Sequence, residues 1–177
     1  MKSRLIALSA ISSAMTAIIL TLGAYVQLID VFTIVAASIF VTLPLYYNSF
    51  KASLLTYLAG GVIAFMISGF NYLSIVFPSY FLFFGVYPIV QHAFMQKGKT
   101  AKILGTILSM IWFIAIAFGL YFFYTGLIGP LSDFPKWILD NVYYFIPAFA
   151  IVFYLIFNRF ILVLGRFTNQ LLKRVIK

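Results

Sequence analysis

The chain has 177 residues, 64% of them hydrophobic and only 8% charged, with a mean hydropathy of +1.11. Soluble domains carry about a quarter charged residues, so too little polar surface exists here to cover a water-facing globule, and lipid is the expected solvent. At ~20 residues per crossing the length admits five to seven spans and leaves nothing for a soluble catalytic domain. Cysteine is absent, which excludes disulfides and thiolate metal sites.

The first apolar run extends from Leu5 to about Val26, behind Lys2 and Arg4. A cleaved leader shares that basic start and apolar core. The run is long enough to span, however, and no small-x-small site with a polar mature start follows, so it is expected to remain as a span. Gln27 and Asp30 mark a turn. Val31 to Tyr47, with Pro44 near its far end, is the second run, and Asn48 to Lys51 the next turn. Ala52 to Gly69 forms the third run around Gly60-Gly61. After the aromatic, uncharged stretch Phe70 to Pro78, the fourth run covers about Ser79 to Met95 and ends in Lys97, Lys99 and Lys102. Ile103 to Ile128 is the fifth, long enough to require tilt. A loop with two prolines, Gly129 to Trp137, precedes a sixth run from about Asn141 to Leu164 that contains Pro147 and Arg159.

The expected fold is therefore an all-α integral membrane protein: a compact bundle of six transmembrane helices with both termini cytoplasmic. Residues 1–165 form its single domain. Residues 166–177 are a basic amphipathic cytoplasmic tail, which suits the inner interface beside anionic lipid and equally a frayed end of the sixth helix. On this layout Lys2, Arg4, Lys51, Lys97, Lys99, Lys102, Arg159, Arg166, Lys173, Arg174 and Lys177 lie inside, eleven of the twelve cations. Lys136 alone is outside, with the three acids Asp30, Asp133 and Asp140. This is the positive-inside pattern, not a nucleic-acid footprint. An arginine at mid-bilayer costs roughly 2.5–3.5 kcal/mol on insertion scales, but Arg159 near the inner end can snorkel to the headgroups.

No enzyme reading survives. His92 is the only histidine, and all the carboxylates fall on the other side of the membrane from it, so neither a multi-histidine metal site nor an oriented base can form. Nucleophile elbows, paired carboxylates and phosphate-binding glycine loops are absent. No catalytic residue, metal site or cofactor is expected.

Two constellations remain. In the first run Ala10 and Ala14 stack one turn apart, with Ala7 and Ala17 at neighbouring positions and Ser9 and Ser13 flanking. Such a small-xxx-small strip lets another helix approach closely, either a partner's or one of the chain's own. At the outer ends, Gln27, Asp30, Asn71, Tyr72, Tyr80, Tyr121, Tyr124, Asp140, Asn141, Tyr143 and Tyr144 gather hydrogen-bonding groups and amphipathic rings suited to a small-molecule pocket. An interfacial aromatic belt uses the same rings, while the polar members also serve as turn residues and a cap.

Six short spans, termini inside and the Ala10-x-x-x-Ala14 helix together resemble the substrate-binding S component of energy-coupling factor (ECF) transporters. The resemblance implies capture of a vitamin-like molecule near the outer face of a bacterial plasma membrane. It further implies docking of the alanine strip on a transmembrane coupling protein, with ATPase subunits driving release inside. A non-transporting scaffold similar to the MreD component of the bacterial rod-shape machinery is the alternative, and it requires no outer pocket.

Overall fold

The computed structural model describes residues 2–129, 137 and 140–175, with the backbone alone for Lys2, Gln27, Ile128 and residues from 164 onward. Asp133, Lys136 and the last two residues lie outside that set. Among the described residues the chain is helical throughout, with no strand.

Helix α1, Lys2–Tyr25, leads through a 3₁₀ turn, Gln27–Ile29, into α2, Asp30–Thr42, which tightens into a 3₁₀ segment, Leu43–Tyr47. Helix α3, Phe50–Ile67, starts at Ser49, whose hydroxyl caps the Ala52 amide. A short α4, Val76–Ser79, a π turn, Tyr80–Phe84, and α5, Tyr87–Gln96, form one interrupted rod. Helix α6, Lys99–Ile128, and α7, Val142–Val175, complete the bundle. The backbone of α7 runs unbroken through residue 165, so the expected tail continues the last helix.

Five helices are long and apolar enough to cross a membrane: Ser3–Tyr25, Asp30–Tyr47, Phe50–Ile67, Lys99–Leu127 and Val142–Val163. The remaining expected span, the fourth run from Ser79 to Met95, is not one continuous helix. Pro88 has no N–H to donate to the Phe84 carbonyl, and its ring crowds that carbonyl, so the regular ladder stops there. The Gly85 amide instead reaches back to the Tyr80 carbonyl at 2.9 Å, the wider bond of a π turn. Tyr57 of α3 braces this break: its hydroxyl donates to the Phe81 carbonyl at 2.9 Å, and the Tyr80 hydroxyl donates to the Tyr57 carbonyl at 3.2 Å.

The interrupted rod is the centre of the packing. Val76, Tyr80, Phe83 and Tyr87 are all fully buried. On one side, Phe50 meets His92, Tyr57 meets Phe81 and Phe65 meets Phe77, so α3 runs antiparallel to the rod. On the other, Phe83 packs on Trp112 and Phe113 of α6 and stacks on Tyr87 at 5.0 Å. Phe84 meets Phe157 of α7 at 4.9 Å. Aromatic pairs of this kind add about 0.5–1.5 kcal/mol beyond area burial. Helix α1 lies parallel to α3, with Tyr25 near Ile67 and Ser9 near Thr56. Its inward face is Ser12, Thr16, Ala17 and Leu20, pressed on Gly60 so closely that a methyl there would sit 2.7 Å from Thr16 Cβ.

Successive passes thus alternate between two ends. The basic end presents exposed Arg4, Lys51, Lys97, Lys99, Lys102 and Arg159. The aromatic end carries Tyr25, Asp30, Tyr72, Tyr124, Trp137 and Tyr144.

Candidate functional site at the aromatic end

Of the eleven outer positions singled out in the sequence, Asp30 and Tyr124 each carry a buried oxygen without a hydrogen-bond partner. Asp30 opens α2 and is half-buried; its Oδ1 is sealed from solvent and has no hydrogen-bond partner. Tyr124, near the end of α6, has a hydroxyl that is likewise buried and unpartnered. Buried polar atoms are nearly always satisfied, so an orphaned pair calls for an explanation. Tyr121, one turn earlier, is half-buried, and Tyr143 of α7 stacks on Phe118 with ring centres 6.4 Å apart.

The other positions go elsewhere. Tyr80 is fully buried and holds the π turn. Tyr72 and Tyr144 are 62% and 79% exposed, as belt residues are. Asp140 is exposed, and exposed Asn141 donates to the Trp137 carbonyl at 2.9 Å. Asn71 is half-buried in the turn before α4, where its carbonyl accepts from Ser74. Gln27 lies one turn ahead of Asp30, with its backbone alone described.

On α1, Ala7, Ala10 and Ala14 face outward and are exposed, whereas Ala17 is 3% exposed and belongs to the core. Ser9 and Ser13 donate to the Leu5 and Ser9 carbonyls of their own helix. His92 contacts Phe50 and lies 3.2 Å from the Gln96 amide.

A second polar cluster escaped the sequence reading. Towards the basic end, Asn158 Oδ1 accepts from the Tyr87 hydroxyl at 2.8 Å and from the Gln91 side-chain amide. The Tyr87 and Tyr154 oxygens lie 3.4 Å apart, and Tyr154 donates to the Thr106 carbonyl at 2.9 Å. Four side chains thereby join α5, α6 and α7 within the packed core. Its signature was present as two pairs spaced i, i+4, Tyr87 with Gln91 and Tyr154 with Asn158, each placing two polar groups on one helical face.

Three further atoms are buried without partners: Ser12 Oγ, Thr16 Oγ1 and Gln91 Oε1. The first two belong to the α1 face packed on α3, where contacts as close as that between Thr16 and Gly60 leave no room for a guest. A groove of about 470 Å³ between the rod and α6, lined by Pro78, Leu82, Ala115, Ile116, Gly119, Leu120 and Phe123, has no polar side chain. Hydrogen-bonding capacity at the aromatic end is thus best placed on Asp30 and Tyr124.

An all-helical bundle with five helices of membrane-crossing length and apolarity is the architecture of a multi-pass membrane protein. No family model, curated protein or solved structure matches the chain.

Proposed function

We propose that this protein is the substrate-capturing subunit of an ATP-driven, ECF-type importer in a bacterial plasma membrane. The observation that carries the reading is the outward face of Ala7, Ala10 and Ala14. A small-residue strip used for internal packing would be buried against α2 or α3, and α1 uses a different face for that contact. In lipid, an exposed strip of small side chains is where a second protein's helix can approach most closely. The rod from Val76 to Gln96 serves as the fourth of six crossings, since at 1.5 Å per residue it reaches roughly 30 Å. Both termini then lie in the cytoplasm with the basic end, and the aromatic end, which carries Asp30 and Tyr124, faces outward to receive a vitamin-like molecule. A transmembrane coupling protein docks on the alanine face, and ATPase subunits supply the energy.

The test is affinity purification of the tagged protein from its native membrane. Ala10→Trp and Ala14→Trp are expected to lose an associated membrane protein and two ATPases while the subunit itself remains folded. Full partner recovery with both bulky variants would show that this face is not the docking surface.

A further inference from the structure

We infer that the corner where α5 turns into α6 binds one anionic phospholipid, with Lys97, Lys99 and Thr100 around its phosphate and an acyl chain laid along α6. The corner sits at the opposite end from the aromatic mouth and on different helices from the alanine face. It is therefore independent of the capture reading.

Gly98 makes the turn, with a φ of +105° that glycine adopts freely and other residues do not. Just below it, Phe94 of α5 lies so close to Gly105 of α6 that a methyl on Gly105 would sit 2.7 Å from Phe94 Cδ2. The two helix ends are thus held side by side, Lys97 closing one and Lys99 opening the other. Lys97, Lys99, Thr100 and Lys102 are all exposed. The dipole of α5 favours a cation at its C-terminus, but that of α6 disfavours Lys99 in its first turn. The described carboxylates, Asp30 and Asp140, belong to the aromatic end, so no acid faces the corner among the described residues. The counter-charge has to come from outside the chain.

Helix α6 selects the kind of anion. Its 29 residues from Lys99 to Leu127 are apolar enough to cross a membrane. At 1.5 Å per residue they extend about 43 Å, the thickness of a bilayer with its headgroups, which sets Lys99 at phosphate depth. Residues four apart are neighbours on a helix surface, so two ridges descend from the corner. Lys99 leads to Ile103, Ile107 and Ile111; Thr100 leads to Leu104 and Leu108. These five apolar side chains are 46–62% exposed. A phosphate held at the corner therefore hangs its chain directly over an apolar track. Free phosphate has no use for that track, and an acidic protein would have to enter the headgroup layer to reach the lysines.

Native mass spectrometry of the purified full chain in detergent gives the test. One palmitoyl-oleoyl phosphatidylglycerol should bind about 10-fold or more tightly than the phosphatidylcholine with the same chains. Lys97→Gln with Lys99→Gln should bring the two lipids near parity, and Lys97→Arg with Lys99→Arg should keep the preference. Arg4→Gln with Lys51→Gln removes equal charge at the same end and should leave the preference intact. Dihexanoyl phosphatidylglycerol should bind more weakly, and millimolar inorganic phosphate should not compete. All four substituted side chains are exposed, so lipid-free melting should match the parent's; if the glutamine pair melts early, Lys99→Gln alone is read. Equal affinity for the two headgroups overturns the proposal and leaves the corner to an acidic protein surface. Equal losses from the two glutamine pairs overturn it in favour of diffuse attraction to the whole basic end. Competition by inorganic phosphate, or undiminished binding of the short-chain lipid, overturns it in favour of a free-anion site.

Discussion

Asn158→Leu should be the most informative single perturbation of the core. Asn158 Oδ1 is the shared acceptor for Tyr87 and Gln91, so its loss removes two bonds where lipid offers no replacement, stranding the Gln91 amide and leaving the Tyr87 hydroxyl only its longer approach to Tyr154. Side-chain hydrogen bonds within membrane bundles average about 0.6 kcal/mol and reach about 1.7, so two together predict a loss of roughly 1–3 kcal/mol. Gln91→Leu should cost under about 1 kcal/mol, because it removes one bond along with an Oε1 that is already buried and unpartnered. In the Asn158→Leu background the same change should be close to neutral, since it removes a stranded donor. Reversible unfolding in mixed detergent micelles provides the measurement. Trp112 is a reporter within the same core, its ring 5.5 Å from Phe83. Asn158→Ala separates loss of the acceptor from overpacking by leucine. If Gln91→Leu proves as costly as Asn158→Leu, or the two costs add, Asn158 is not the node of the network.

Gly85→Ala should destabilise the bundle by about 1–3 kcal/mol in the same assay, because fitting the methyl forces a shift in a tightly packed core. That methyl would lie 2.6 Å from Tyr57 Cε2 and 2.9 Å from Tyr80 Cζ, the two rings that brace the π turn. An unchanged melt would refute that close approach. The chain has no cysteine, so single reporters can be introduced cleanly. Thr100→Cys, exposed in the first turn of α6, should label with an impermeant maleimide only after cells are opened, and Tyr72→Cys in intact cells. Labelling of Thr100→Cys from outside would invert the proposed orientation.

Composition and hydropathy alone determined that lipid is the solvent and where the long helices run. All five helices of spanning length fall on runs visible in the sequence. The basic residues also marked which turns share an end. Those signals are local: one residue's transfer free energy and its neighbours along the chain suffice. The break in the fourth run was only half legible. Pro88 signals an interruption, but the π turn it accompanies also depends on Tyr57, contributed by another helix.

Orientation about each helix axis was not legible at all. Lipid tails and a protein core are equally apolar, so hydropathy cannot tell a side chain facing one from a side chain facing the other. Only the packed bundle puts Ala14 outward and Ala17 inward on the same helix, or buries Tyr80 while exposing Tyr144. The meeting of Gln91 with Asn158 likewise follows from helices distant in sequence, through a contact that no local periodicity encodes.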